Sequence, residues 1–321
     1  FGYYDHSPWS ENMKYLIVNV KEDSGVTLKL FENINGNYQF KIDIVKTSLF
    51  NYQQGIRAIW LNNYQIIYNY TKDYQLISGI YNIKNNSVDS CPFPIQEVIE
   101  NRIFLCLDYK NLDRLNKDYG YNLVKQGYSV LDIDGILGYS NDAKKINFTL
   151  NKEYIHKKSI IKESRSDCEI NHISASPEGD KIIFIYRSKG FNKCSELYLY
   201  DIIQKRLVRL FTGEIVSHFC WKSSIELIIY CGKKIKDQGY YTFNINTKEC
   251  SFIKGRIQIN GDGHPSISPS KRFLVYDSYP DRSRLIYLNL YDFENDKVIE
   301  IGKFLSPLKY ADYYRCDLHP R

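Results

Sequence analysis

Five of the six histidines in this 321-residue chain stand at related positions. His172, His218 and His264 follow one another at an interval of 46 residues, and His319 comes after a longer interval. His6 joins the set because a tryptophan stands three residues after it, as one does after His218. Neutral imidazole is a good ligand for Zn, Mn, Fe and Ni. If the fold brings these side chains together, they predict a site for a divalent metal.

The residues around His264 also recur along the chain. Asp262-Gly263-His264-Pro265-Ser266-Ile267-Ser268-Pro269, followed by Lys271-Arg272-Phe273-Leu274-Val275-Tyr276-Asp277, predicts a short strand, a Ser-Pro turn and a second strand. His172 also has a proline five residues later, and Arg57 occupies the histidine position of another copy. A repeat of about 40 to 50 residues with four strands is typical of a β-propeller blade.

We therefore predict an all-β fold, a seven-bladed β-propeller forming a single domain over residues 1–321. A long insertion at 111–131 is expected to emerge on one face of the third blade. Six blades are predicted to be complete and the seventh to be represented by its first strand, so we expect the natural chain to continue for about one more blade. The predicted blades are 1–45, 50–88, 90–165, 168–212, 214–256, 260–305 and the incomplete 314–321.

The first strand of each propeller blade lines the central channel, so equivalent residues of successive blades form a ring. The sequence therefore predicts a ring of imidazoles at one mouth of the channel. We expect a metal to be held by His172, His218, His264 and His319, with Asp262 and Asp317 as neighbouring acceptors or ligands. The alternative is that the histidines are a hydrogen-bonded polar lining of a wet channel.

Other polar residues are candidates for contacts with a substrate. Arg187 and Arg57 are expected to neutralise a negatively charged group, and His172 is a further candidate catalytic residue. Gln54, His6 and Asp5 are expected to contact substrate. A pair of carboxylates acting in hydrolysis, Asp262 with Asp317, is a weaker possibility.

Composition excludes several classes of partner. The net charge of +6 is the balance of 43 basic and 37 acidic residues without a polybasic run, so we predict no nucleic-acid partner. No apolar run is long enough for a transmembrane helix, and we predict no membrane insertion. No phosphate-binding glycine loop is present, so no nucleotide cofactor is expected. A mildly basic surface favours an acidic polymer.

The eight cysteines show no paired metal-binding spacing. We interpret them as free thiols of a monomeric cytoplasmic protein in a bacterium. A periplasmic location is the alternative, and a Cys168–Cys194 disulfide would accompany it.

The repeat resembles that of TolB-like propellers, and His264-Pro265-Ser266-Ile267-Ser268-Pro269 resembles the His-Pro-x-x-Ser-Pro segment of oligogalacturonate lyases. The strings FGYYDHSPW, QQGIRAIWL, INHISASPEG, DGHPSISPS, YPDR and CDLHPR are similar to uncharacterised bacterial proteins associated with polysaccharide gene sets. The lyase resemblance implies seven blades, a divalent metal held by channel-mouth histidines, and cleavage of uronates by β-elimination. No counterpart of the glutamine that those lyases place near the metal is assigned from this sequence.

The leading hypothesis is a metal-dependent lyase acting on an acidic oligosaccharide or polysaccharide, with Mn, Zn, Fe or Ni as the metal. The second hypothesis is a non-catalytic propeller that binds a glycan or a protein with the same face. The sequence leaves open whether the protein is an enzyme.

Overall fold

The computed structural model describes residues 2–190, 193–253, 261–311 and 314–321. The chain is divided into two compact units, Phe1–Lys157 and Lys158–Arg321. Each unit contains three antiparallel sheets whose strands follow one another in sequence order, and each such sheet is a blade.

The first unit holds blades one to three, of which blade one has three strands and the others four. Their strands are β1 (Tyr15–Glu22), β2 (Gly25–Ile34), β3 (Asn37–Thr47), β4 (Ile59–Asn62), β5 (Gln65–Lys72), β6 (Gln75–Asn82), β7 (Ser87–Cys91), β8 (Ile95–Ile99), β9 (Ile103–Leu107), β10 (Gly135–Ser140) and β11 (Lys145–Asn151).

The second unit holds blades four to six, each with four strands. Their strands are β12 (Cys168–Ala175), β13 (Lys181–Ser188), β14 (Ser195–Asp201), β15 (Arg206–Gly213), β16 (Ile215–Trp221), β17 (Glu226–Gly232), β18 (Gly239–Asn244), β19 (Cys250–Phe252), β20 (Ser266–Ile267), β21 (Phe273–Asp277), β22 (Leu285–Asp292) and β23 (Lys297–Leu305).

The central strands of the blades are rich in β-branched and aromatic residues and are buried on both faces, because each face packs on another layer. β13 (KIIFIYRS) and β17 (ELIIYCG) show this pattern of nearly continuous burial. The fourth strands are mostly exposed, as in β23. In the second unit, Ile185 and Leu197 of blade four pack with Phe219 and Ile229 of blade five in one buried cluster. Packing between blades therefore supplies the core.

Among the described residues, helices are few and short. They are α1 (Tyr109–Leu115), α2 (Leu123–Gln126) and α3 (Lys152–Lys158), with 3-10 turns at Arg165–Asp167, Ile235–Asp237 and Leu308–Tyr310. α1 and α2 lie in the predicted insertion between β9 and β10, and the Asp108 side chain caps α1 by accepting a hydrogen bond from the Asn111 backbone. None of the helices among the described residues is long and apolar enough to span a membrane.

The repeated antiparallel meanders are the blades of an all-β β-propeller, and the described part of the chain contains six of them. The seventh blade is not confirmed, since residues 314–321 form no strand although they are described. The limits predicted at 256 and 260 lie outside the described residues. The single domain over 1–321 stays a prediction.

The eight cysteines, all of which are described, form no disulfide, and Cys168 and Cys194 are therefore not joined. Several are buried: Cys91 is 0% exposed, and burial raises the pKa of its thiol to about 11. Buried thiols of this kind act as small apolar side chains within the blades.

We expect Ile229→Ala to lower the free energy of unfolding of the second unit by about 3 kcal/mol, because it leaves a cavity in the layer between blades four and five. Urea-induced unfolding measures the change. The matched control is Ile203→Ala at a 77% exposed position, which should change stability by no more than about 0.5 kcal/mol. Equal effects of the two variants would contradict the inter-blade core.

Candidate metal centre

The second unit brings four of the predicted histidines into a row. The ring centroids of His172 and His218 are 5.0 Å apart, those of His218 and His264 are 4.3 Å apart, and those of His264 and His319 are 4.2 Å apart. All four side chains are buried, with exposed fractions between 1% and 6%. The recurrence of histidine in the sequence therefore corresponds to contact between imidazoles in space.

Two of these histidines lie where the regular pairing of their strand with the next strand is interrupted. The pairing of β12 with β13 is interrupted between Asn171 and Ser174, and that of β16 with β17 between Val216 and Phe219. His172 lies in the first break with a φ of 50°, in the left-handed region. A bulge of this kind redirects a side chain out of the regular alternation of a strand.

Asp277 holds His264 at the end of β21. Its Oδ1 accepts hydrogen bonds from the His264 backbone N–H at 2.7 Å and from the ring Nδ1 at 2.9 Å. Its Oδ2 accepts the backbone N–H of His319 at 3.0 Å. One fully buried carboxylate thus fixes two of the four histidines.

The other two rings are also held at Nδ1. His218 Nδ1 lies 3.0 Å from Ser217 Oγ and 3.3 Å from Asp262 Oδ1. His172 Nδ1 lies 2.9 Å from Asn171 Oδ1. Metal-binding histidines typically direct one ring nitrogen to such an acceptor, which orients the other toward the metal.

A compact ligand group is formed by His264, Asp317 and His319. These residues each offer one ligand atom, and the three atoms lie within 4.8 Å of one another. Asp317 is buried, and its Oδ2 accepts a hydrogen bond from Arg315 Nε at 3.1 Å. The group contains two of the four predicted ligands, His264 and His319, together with Asp317, which was predicted as a neighbouring acceptor or a ligand. His218 and His172 continue the row beside it.

Burial shifts the pKa values of His319, which belongs to this group, and of Asp277, which contacts it. It lowers the pKa of His319 well below its usual value, and a protonated His264 nearby would lower it further. His319 is therefore a neutral imidazole at neutral pH, which is the form that binds a metal. Burial also raises the pKa of the Asp277 carboxyl, while His319 and the two backbone N–H donors act in the opposite direction.

A cavity of about 360 Å³ adjoins the histidine row. It is lined by residues of blades four and five and by Asp262, and Ser217 and Asp262 belong to the cavity wall while contacting His218. Arg187 and Lys189 place positive charge on this wall, and Glu214 and Asp262 place negative charge there. The buried Glu169 lies 4.0 Å from Arg187 and 3.4 Å from Lys189. Arg187 is held by Ser195 Oγ at 3.2 Å and by the Val216 carbonyl at 2.5 Å. Arg187 and Ser217, which contacts His218, thus line the same cavity, and a contact between Arg187 and a substrate stays a prediction.

Tyr279, which lies two residues after the end of β21, has a ring that contacts the site. The centroid lies 5.7 Å from that of His264 and 6.2 Å from that of His218. The Arg315 guanidinium lies 4.8 Å from the Tyr279 ring centroid. Residues that follow the second strand of a blade reach the same mouth of the channel as the start of the first strand. This position of Tyr279 after β21 is the sequence signal that could have identified it.

The first unit contains the remaining predicted residues. Arg57 has the left-handed φ of 51° seen at His172, but its guanidinium is buried and makes a bidentate ion pair with Asp5, with contacts of 3.0 to 3.1 Å. It also donates to the Gln96 carbonyl. His6 lies 3.4 Å from Glu97. These contacts favour a structural role for the Asp5–Arg57 pair.

Gln96 occupies in blade three the position that His172 and His218 occupy in blades four and five, and the sequence alone did not identify it. It lies in a break of the β8–β9 pairing between Ile95 and Glu97, which matches the breaks at the blade-four and blade-five histidines. Its Oε1 accepts a hydrogen bond from Tyr109 Oη at 2.6 Å, and its Nε2 lies 3.4 Å from Gln54 Oε1. Gln54 is therefore buried in this amide network.

Comparison by sequence finds no protein family whose model matches this chain, and no curated protein matches it either. Comparison by structure finds distant likenesses.

TolB from Acinetobacter baumannii is 12% identical with a TM-score of 0.51; the alignment covers 90% of this chain and 63% of TolB, so the chain spans less than two thirds of that protein. A 6-phosphogluconolactonase-like protein from Bacteroides uniformis is 12% identical with a TM-score of 0.51, covering 94% and 84%. An oligogalacturonate lyase in complex with manganese is 11% identical with a TM-score of 0.43, covering 86% of each chain. Identities this low show the β-propeller fold alone, since one fold hosts many functions.

We expect Asp5→Ala to lower the free energy of unfolding of the first unit by about 3 kcal/mol, because it leaves the buried Arg57 charge without its carboxylate. Thermal or urea unfolding measures the loss. Asp132→Ala breaks the exposed ion pair with Lys110 and should cost no more than about 1 kcal/mol. A wild-type stability for Asp5→Ala would argue against a structural Asp5–Arg57 pair.

Proposed function

We propose that this protein binds a divalent transition metal at His264, Asp317 and His319 and uses the site to cleave an acidic oligosaccharide by β-elimination. The observation that carries the proposal is the convergence of three buried ligand atoms within 4.8 Å. His218 adjoins this group, and His172 extends the row toward blade four.

The chemistry of these residues fits such a metal. Two imidazoles and one carboxylate form a mixed N/O donor set that suits Zn, Mn, Fe or Ni. Burial keeps His319 neutral, and Asp277 accepts from Nδ1 of His264, so Nε2 is the nitrogen suited to coordination. A divalent metal bound there supplies Lewis-acid stabilisation for a substrate carboxylate and the negative charge that develops beside it.

The residues around the group perform the remaining steps. The cavity beside Arg187 and Lys189 accepts an anionic sugar, and their positive charges orient its carboxylate. A base removes the proton from the carbon next to that carboxylate, the C–O bond on the adjoining carbon breaks, and a C=C bond forms between these two carbons. The departing oxygen takes up a proton and leaves as the hydroxyl group of the other sugar. Tyr279 and His172 are the candidates for moving the proton, because Tyr279 lies beside the row, His172 is at its end, and both are outside the compact ligand group.

We expect the purified protein to contain about one equivalent of a divalent metal and the His264→Ala/His319→Ala variant to lose it, because two of three ligands are gone. Elemental analysis after incubation with Mn, Zn, Fe or Ni measures this content. His156→Ala, which changes a histidine of α3 outside the row, is the control and should retain the metal. Absence of metal from the wild-type protein under all four conditions would refute the metal centre.

We expect Tyr279→Phe to reduce turnover of oligouronates by about 10²- to 10⁴-fold, the usual contribution of a positioned acid or base. The ultraviolet absorbance of the unsaturated product measures turnover. The metal content of this variant should equal that of the wild-type protein, since Tyr279 is outside the proposed ligand set. A metal-loaded wild-type protein with no turnover on any uronate would replace the lyase with a binding propeller.

A further inference from the structure

The buried Asp277 carboxylate connects parts of the chain that are far apart in sequence. It ends β21, accepts two hydrogen bonds from His264, and accepts a third from the backbone of His319, 42 residues beyond it. The side chain of Asp277 is 0% exposed. The carboxylate therefore joins the backbone and ring of His264 to the backbone of His319.

The approach of His264 to Asp277 depends on its neighbour Gly263. A Cβ atom added at Gly263 would lie 1.8 Å from the Asp277 carbonyl oxygen, which no side chain permits. The absence of a side chain lets this backbone lie directly against the end of β21, within reach of the carboxylate. The contact between His264 and Asp277 therefore requires glycine at position 263.

The hydrogen bond also determines which ring nitrogen of His264 carries the proton. Both Asp277 oxygens lie within 3.1 Å of Nδ1. A carboxylate accepts hydrogen bonds, so neutral His264 carries its proton on Nδ1 and a lone pair on Nε2. Coordination through Nε2 needs this tautomer.

We propose that Asp277 is the positioning residue of the metal centre: it sets the tautomer and orientation of His264 and anchors the segment that carries Asp317 and His319. This inference rests on the metal site proposed above, but it makes a separate statement about the metal-free protein. Asp277 acts through its neighbours and is not itself a ligand.

The first test is nuclear magnetic resonance of metal-free protein with ¹⁵N-labelled histidine, in which His264→Gln assigns the His264 signals. Long-range couplings between ring protons and nitrogens distinguish the two tautomers. We expect the Nδ1–H form of His264 in the wild-type protein. Observation of the Nε2–H form would overturn the proposal, and this measurement requires no variant at Asp277.

The second test replaces Asp277 by Asn, which has a similar shape but no charge and offers one acceptor oxygen to three N–H donors. Titration with Zn²⁺ should give an affinity weaker by about 10- to 100-fold, as is usual for loss of a residue that orients a metal ligand. The control is Asp292→Asn in the same blade, which breaks an ion pair with Arg272 and should bind Zn²⁺ like the wild-type protein.

The outcomes separate the two proposals. A folded Asp277→Asn protein with wild-type affinity and tautomer refutes the positioning role, whereas the metal centre stands. A wild-type protein that binds no metal but shows the Nδ1–H form, lost in Asp277→Asn, refutes the metal centre and retains the positioning role. If Asp277→Asn does not fold, the tautomer of the wild-type protein decides the inference.

Discussion

The approach of His264 to His319 depends on the buried carboxylate of Asp277. An ionised carboxylate removed from water costs several kcal/mol unless hydrogen bonds replace its hydration. Here two backbone N–H groups and one imidazole do so, and the donors come from two segments that are distant in sequence. The hydrogen bonds that compensate for burying this charge therefore also bring His264 and His319 together.

The blades supply the second constraint. Regular antiparallel pairing sends successive side chains to opposite faces of a strand. The breaks in β12 and β16 interrupt this alternation where His172 and His218 occur, and the packed central strands hold the breaks in place. Rigid blades thus position the imidazoles, while the cavity between blades four and five gives a ligand access to their neighbours.

The distant likenesses include proteins with different names and roles, among them TolB and a lactonase-like protein. A common fold without sequence relationship cannot choose among them. The choice depends on side-chain chemistry, and buried neutral imidazoles beside a carboxylate favour a metal centre. The proposal of an anionic ligand for the adjoining cavity is supported by Arg187 and Lys189 on its wall.

The sequence by itself determined the repeat, the blade fold and the histidine positions, because strand patterns and a 46-residue interval are local or periodic properties. It also identified Arg187 as a residue near the row. Only the tertiary structure decided that Asp317 completes the compact group and that Tyr279 contacts two imidazoles. The same holds for Arg57, whose buried pairing with Asp5 depends on a contact across 52 residues. Ligand geometry and charge burial depend on distances between separate segments, which no local pattern records.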